Sequence, residues 1–107
     1  MDARKNKRLI ASLEAELTFG DVHVASSIEN LSEAGIYIIT SYSDDVINLP
    51  ADSSVTLTFQ FPNGESQRLN CKVKWRYKTP PYGVTISAGM EIIDPPKSYI
   101  EALKTLI

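Results

Sequence analysis

The feature that most constrains the fold of this chain is a strict alternation of apolar and polar residues over 68–78, RLNCKVKWRYK. Successive side chains of a β-strand point to opposite faces of the sheet, so a period of two predicts a strand with one buried and one solvated face. The pattern assigns the buried face to the apolar residues Leu69, Cys71, Val73, Trp75 and Tyr77. It assigns the solvated face to a basic set, which includes Lys72, Lys74, Arg76 and Lys78.

Four further segments alternate in the same way, and they predict strands at 12–19, 22–29, 55–61 and 84–92. The stretch GIYIITSY predicts one more strand, at 36–42. The first two are joined by Gly20-Asp21. A two-residue loop that begins with glycine is typical of a type II′ β-hairpin, because glycine tolerates positive φ. Residues 44–54 are mostly polar and contain a proline, which predicts a loop.

Helical spacing appears after the last strand, in the apolar residues Tyr99, Leu103, Leu106 and Ile107. It predicts a short amphipathic C-terminal helix over 95–107, with Asp94 as a candidate N-cap. Six strands joined largely by short turns, with one such helix, predict a mainly β fold: a six-stranded antiparallel β-barrel with the helix over one opening or face. At 107 residues we expect a single domain, with the barrel over 9–94 and an arm over 1–8.

Composition narrows the class of protein. Cys71 is the single cysteine, so an internal disulfide is excluded and a reducing, cytoplasmic compartment is favoured. The net charge of the chain is −2. We expect Cys71 to be buried as a small apolar side chain. The sequence contains no pattern typical of a signal peptide or a membrane span. It also lacks a nucleophile–base pattern, metal-ligand spacing and a glycine-rich phosphate loop, so we expect no enzyme activity, metal or cofactor.

Positive charge is concentrated at the start of the chain, in the segment RKNKR over 4–8. Residues 1–8 carry four cations and one anion, whereas the remaining 99 residues carry seven cations and twelve anions. Taken alone, such a segment is typical of a solvated terminus that aids solubility. A second motif further along the chain favours a different interpretation.

That motif is Asn30-x-Ser32-x-x-Gly35, between the second and third predicted strands, and 21 residues separate it from Arg8. The pattern Arg4-x-x-x-Arg8 ahead of the first strand, followed one hairpin later by [D/N]-x-S-x-x-G, resembles the PilZ domain. PilZ domains are bacterial receptors for cyclic dimeric GMP (cyclic di-GMP). The stretches LNCKVKW and SAGMEII and the closing helix extend the resemblance over essentially the whole chain.

The resemblance implies a split-barrel fold and a set of ligand contacts. Arg4 and Arg8 would hold phosphate and stack on guanine, and the facing surface of the barrel would consist of Asn30, Ser32 and Gly35. Lys5 and Trp75 are secondary candidate contacts. For Trp75 a second interpretation is open, because the alternation places it on the apolar face and therefore in the core.

The chemistry of these residue types fits the ligand. A guanidinium can bind a phosphate or the O6 and N7 atoms of guanine with two hydrogen bonds, and its flat face can stack on a purine. The amide oxygen of Asn30 can accept from the N1 or N2 groups of guanine. The family also uses aspartate here, and asparagine avoids repulsion of the phosphates but is a weaker acceptor.

We therefore expect a non-catalytic cyclic di-GMP receptor whose arm becomes ordered over the ligand and alters the interaction with a partner protein or adjoining domain. The residues leave open whether one ligand molecule or a stacked pair binds. The alternative is a PilZ-type protein-interaction module that does not bind the nucleotide. A nucleic-acid binder is disfavoured, because the chain outside the arm is acidic.

Overall fold

The computed structural model describes residues 8–106, which form a β-barrel with two helices. The elements in chain order are β1 (Leu9–Phe19), β2 (Val22–Leu31), β3 (Gly35–Ser41), α1 (Asp44–Ile47), β4 (Ser54–Gln60), β5 (Ser66–Lys78), β6 (Thr85–Ile92) and α2 (Lys97–Leu106). The strands pair in the order β1-β2-β3-β6-β5-β4, and β4 returns to β1, so the sheet closes. All neighbouring strands are antiparallel. The predicted six-stranded antiparallel barrel is confirmed.

The first hairpin forms at the predicted turn. Phe19 pairs with Val22, which leaves Gly20 and Asp21 as a two-residue loop. Gly20 has a φ of +55°, and Asp21 is not among the residues with positive φ. Positive φ at the first loop position alone is the pattern of a type II′ turn. Glycine is favoured at this position because it adopts positive φ without steric strain.

The core lies inside the barrel, where alternate residues of every strand meet. Fully buried side chains come from all six strands, for example Leu17, Ile28, Ile38, Leu57, Leu69 and Ile86. Burying an aliphatic side chain of this size contributes about 1.5–3 kcal/mol. Helix α2 adds its own buried face to this core through Tyr99, Ala102 and Leu103. The ring of Tyr99 stacks on Phe61 with a centroid distance of 6.0 Å.

The prediction of a loop over 44–54 was wrong in part, because α1 forms there. Ser43 is its N-cap, and its hydroxyl accepts a hydrogen bond from the backbone N–H of Val46 at 3.4 Å. Val46 is the one buried residue of this helix, with 1% of its surface exposed. A single buried apolar residue gives no period to detect, so the sequence pattern did not indicate a helix.

The C-terminal helix is confirmed, but its predicted start was wrong. Asp94 has a φ of +48°, which is unlike the extended conformation of an N-cap, and the helix begins three residues later at Lys97. The carbonyl of Pro96 accepts from the N–H groups of Tyr99 and Ile100 at 3.0 and 3.2 Å. Residue Ile107, included in the predicted helix, lies outside the described residues.

The largest difference from prediction lies in β5, where the register with β6 shifts. Val73 pairs with Met90, but Trp75 pairs with the next residue, Gly89, so Lys74 is the extra residue of a β-bulge. Beyond the bulge the faces of the strand are exchanged. Trp75 and Tyr77 are 43% and 46% exposed. The prediction that both belong to the buried face was therefore wrong, whereas burial of Cys71, before the bulge, is confirmed.

The bulge also affects the predicted basic face. Arg76 pairs with Ala88, which is 2% exposed, and residues directly opposite each other share a face of the sheet. Arg76 is accordingly partly buried, and its Nε atom is buried without a hydrogen-bond partner among the described residues. Its prediction as a solvated residue was wrong. Val84 was also predicted in the last strand, but it is 71% exposed and precedes β6.

Candidate functional site

The turn between β2 and β3 contains the N-x-S-x-x-G motif. The N–H of Ser32 donates to the carbonyl of Gly35 at 2.9 Å, and the N–H of Gly35 donates to the hydroxyl of Ser32 at 3.1 Å. These reciprocal bonds close the turn, and Ser32 is only 7% exposed. Ser32 thus has a structural role in the turn, whichever ligand the turn binds.

The glycine of the motif permits a close approach between strands. A Cβ atom on Gly35 would lie 3.3 Å from the backbone oxygen of Met90 on β6. That distance is tighter than the usual contact of a methyl group, so a larger residue would push β3 away from β6. Gly35 therefore fixes the position at which β3 begins, directly beside the turn.

Helix α2 supports the same turn from inside the protein. The hydroxyl of Tyr99 donates a hydrogen bond of 2.6 Å to the carbonyl of Ser32, and Tyr99 is fully buried. Burial raises the pKa of the Tyr99 phenol, so the group stays protonated and remains a donor. The conformation of the motif thus depends on a residue 67 positions away in sequence.

A pocket of about 520 Å³ lies beside this turn. It is lined by residues from the start of β1, from the β2–β3 turn and from β3, β5 and β6. Five of the predicted site residues are among them: Arg8, Asn30, Ser32, Gly35 and Trp75. The remaining predicted residues, Arg4 and Lys5, lie outside the described residues. The binding role of all seven stays a prediction.

Arg8 connects the arm to the motif. Its Nη1 atom donates to the Oδ1 atom of Asn30 at 3.3 Å, and both groups are accessible to solvent. Asn30 is held in place by strand pairing, opposite Ile10 on β1 and Tyr37 on β3. A second bulge, between Ile28 and Asn30 in the pairing of β2 with β3, precedes it. The two motifs that are separate in sequence are therefore in contact in the fold.

Three aromatic side chains form a row on the outer face of the barrel, which we call the aromatic row: Tyr37, Trp75 and Tyr77. The ring centroids of Tyr37 and Trp75 are 5.7 Å apart at an angle of 41°, and those of Trp75 and Tyr77 are 5.5 Å apart at 19°. Trp75 and Tyr37 line the pocket. The row exists because the bulge turns Trp75 and Tyr77 outward, so an alternation pattern alone did not predict it.

The charged groups of the pocket are of both signs. The Nζ atom of Lys74 lies 2.6 Å from the Oδ1 atom of Asp52 and 4.0 Å from the Oε1 atom of Glu91. The hydrogen bond and charge of Lys74 lower the pKa of the Asp52 carboxyl. Lys74 and Glu91 line the pocket with Arg8. Because Asp52 already partly neutralises Lys74, Arg8 is the principal cation available to a ligand among the described pocket residues.

Seven pocket residues were missed by the sequence analysis: Ala34, Ile36, Tyr37, Lys74, Gly89, Met90 and Glu91. Ala34 and Ile36 adjoin Gly35 of the motif, whereas the other five lie on β3, β5 and β6, which strand pairing brings together. The one usable signal was SAGMEII, which was noted as part of the resemblance but not assigned to the site.

Residues 8–106 do not support two other classes of site, a metal centre and a membrane-spanning helix. This part of the chain brings together no group of three or more histidine, cysteine, aspartate or glutamate residues in a geometry that could hold a metal ion. None of its helices has both the length and the apolar character needed to cross a membrane.

Comparison with known proteins identifies the family. The family model of the PilZ domain matches residues 2–107. This chain belongs to the PilZ family. A comparison with curated proteins finds no match.

Solved structures of other proteins share the fold. The PilZ domain of YcgR from Escherichia coli, solved with c-di-GMP, superposes with a TM-score of 0.74 at 10% identity, and the match covers 99% of this chain and 89% of that one. The Bacillus subtilis inhibitor of motility MotI (DgrA) superposes with a TM-score of 0.76 at 16% identity. There the match covers 99% of this PilZ chain but 50% of the MotI chain, so this chain spans about half of MotI.

Proposed function

We propose that this PilZ domain is a non-catalytic receptor for cyclic di-GMP and that the pocket beside the β2–β3 turn is its binding site. The observation that carries the proposal is the contact between Arg8 and Asn30, which joins the two sequence motifs at one pocket. The likeness in fold to the YcgR domain, which was solved with this ligand, supports the same conclusion.

The roles of the polar residues follow from their chemistry. The guanidinium of Arg8 binds a phosphate or stacks on a guanine, and Arg4 provides a second guanidinium from the arm. The amide of Asn30 binds the edge of guanine once Arg8 turns from it to the ligand, because their present hydrogen bond is long and exposed. Ser32 and Gly35 hold the shape of the turn.

The consequence of binding is a change in the surface offered to a partner. The ligand would fix residues 1–8 against the barrel near the turn, and the energetic cost of fixing them would lower the affinity. The partner is a second protein or an adjoining domain.

A calorimetric titration with cyclic di-GMP, with GMP as the control ligand, tests this proposal. We expect saturable binding, and the stoichiometry distinguishes one molecule from a stacked pair. Arg8→Ala removes charge-assisted hydrogen bonds worth about 1.5–3 kcal/mol, so its affinity should fall about 10- to 150-fold.

Arg68→Ala is the matched control for that variant. Arg68 is an exposed arginine on β5 that does not line the pocket, so its replacement removes the same charge at another place. Equal affinity in both variants and the wild type would contradict a specific role for Arg8. An equal loss in both variants would indicate that only net charge matters.

A second candidate function is a protein-interaction module that does not bind the nucleotide. It is favoured by the exposed apolar side chains around the β5–β6 loop, where Tyr82 and Val84 are 85% and 71% exposed. The absence of binding heat with cyclic di-GMP, together with an unchanged NMR spectrum, would favour this function over the receptor.

A further inference from the structure

We propose that Gly89 is a positioning residue for the ligand: its lack of a side chain lets the indole of Trp75 lean across β6, where the ring offers a stacking surface to a guanine base. This inference rests on the proposed receptor function and assigns a role to a residue outside both motifs. The register of three strands, the space above Gly89 and the contacts of the indole support it.

The register places Gly89 at the centre of the site. It lies directly opposite Tyr37 on β3 and directly opposite Trp75 on β5. Residues opposite each other in an antiparallel sheet share a face, so all three occupy the outer face of the barrel in one line across the strands. Gly89 is the middle position of that line and lines the pocket.

The indole fills the space that a side chain at position 89 would need. A Cβ atom on Gly89 would lie 2.2, 2.3 and 2.4 Å from the Cε2, Nε1 and Cζ2 atoms of Trp75. Non-bonded carbon atoms normally lie about 3.5–4.0 Å apart, so the ring would have to move by roughly 1 Å or more. Gly89 does not have the positive φ that only glycine adopts readily, so alanine would strain the ring position rather than the backbone.

The indole is held by neighbouring aromatic rings and still borders the pocket. It stacks on Tyr77, which does not line the pocket, whereas Trp75 itself does. Tyr37 contacts the ring from across Gly89. A ring that is already held in place loses little freedom when a ligand stacks on it, which favours binding. The exposed fraction of 43% leaves area for a purine.

The chemistry of the ligand identifies which part of it this surface binds. Cyclic di-GMP carries two flat guanine rings, and a base stacked on an aromatic side chain typically contributes about 5- to 100-fold in affinity. Arg8 and Asn30 line the same pocket. In the proposed function they bind phosphate and the base edge. The indole therefore complements them as the site for the face of the base.

The test is a double-mutant cycle of the full chain, comprising wild type, Gly89→Ala, Trp75→Ala and the double variant, each titrated with cyclic di-GMP by calorimetry. We expect Gly89→Ala to weaken binding by about 5- to 100-fold in the wild-type background. In the Trp75→Ala background the same change should alter affinity by less than about twofold, because the indole that it displaces is gone. An equal loss in both backgrounds, or no loss in the wild type, overturns the inference.

Fluorescence provides a readout that a merely structural role would not change. Trp75 is the single tryptophan of the chain, so its emission reports on this ring alone. We expect the ligand to quench the emission of the wild type strongly and that of Gly89→Ala weakly. Equal quenching in both proteins would contradict the assigned role.

Two further outcomes are informative. If Gly89→Ala alone unfolds the protein, the double variant should still fold, since the added methyl group then meets no indole. An unfolded double variant would show that the backbone itself needs glycine, which overturns the inference. Absence of binding in the wild type overturns the proposed function and the inference together. Wild-type binding with unchanged affinity in Gly89→Ala overturns the inference alone.

Discussion

The two halves of β5 have the same sequence pattern but opposite surroundings. In the first half Leu69, Cys71 and Val73 are 0%, 1% and 2% exposed and belong to the core. In the second half Trp75 and Tyr77 continue the same alternation, yet they are 43% and 46% exposed and form most of the aromatic row. One extra residue at the bulge separates a core strand from an exposed aromatic surface.

This difference shows what a β-bulge can contribute to function. The inserted residue redirects every side chain that follows it, because the side-chain period of a strand is two. It also places Lys74 itself at the pocket, where it pairs with Asp52. If the pairing of β5 with β6 were continuous, the rings of Trp75 and Tyr77 would be buried. No aromatic surface would then lie beside the motif turn.

Inserting one alanine between Gly89 and Met90 is the most direct way to break the comparison, because the inserted residue lies opposite Lys74 and makes the register continuous. We expect the largest effect from this insertion. A continuous register would direct Trp75 and Tyr77 into an interior that is already filled. Overpacking by a few methylene groups typically costs about 1–3 kcal/mol, and two aromatic rings exceed that by far. We expect a protein without a cooperative thermal transition, measured by circular dichroism.

Lys74→Ala is the control for the insertion, because it keeps the bulge and removes only an exposed ion pair. An insertion variant that melts like this control and binds cyclic di-GMP equally well would show that the bulge has no functional role.

The second prediction compares one apolar residue from each half. Leu69→Ala should lower the free energy of unfolding by about 2–5 kcal/mol, because it leaves a cavity in the core. Tyr77→Ala should lower it by clearly less, since nearly half of that side chain is already in water. Urea denaturation measures both values, and similar losses in the two variants would refute the assignment of the halves.

The third prediction concerns the thiol of Cys71, which lies in the buried first half of β5. Burial raises the pKa of Cys71 from 9.0 to about 12. Above pH 9 the unfolded state releases this proton and the folded state keeps it, so stability falls as pH rises from 9 towards 12. For one group the slope approaches about 1.4 kcal/mol per pH unit.

Urea denaturation from about pH 8 to about pH 10.5 measures that slope, and the Cys71→Ala variant is its control. The variant retains Tyr99, whose pKa is also raised, so the difference in slope between the two proteins isolates the thiol. Parallel pH profiles would show that Cys71 is accessible to water in the folded protein.

Sequence reasoning succeeded where the determining information was local. The period of two predicted the strands, and Gly20-Asp21 predicted the hairpin turn. Asn30 and Gly35, which the family resemblance indicated, both line one pocket, and their binding role stays a prediction. Each of these features depends on a few consecutive residues and their backbone conformations.

The remaining features depend on pairing between distant segments. Nothing within β5 indicates that Lys74 is unpaired, because the register shift is defined only against β6. Gly89 resembles any small residue of a strand until the indole opposite it is known. The alternation therefore predicted that Trp75 lies in a strand, but could not predict on which face.

The hydrogen bond between Tyr99 and Ser32 has a consequence for synthesis of the chain. A ribosome adds about 5–20 residues per second, so the 67 positions between the two residues correspond to roughly 3 to 13 s. For most of that interval the nascent chain contains the whole motif but neither the last strand nor the phenol that braces the turn. The turn is complete in sequence several seconds before it is complete in structure.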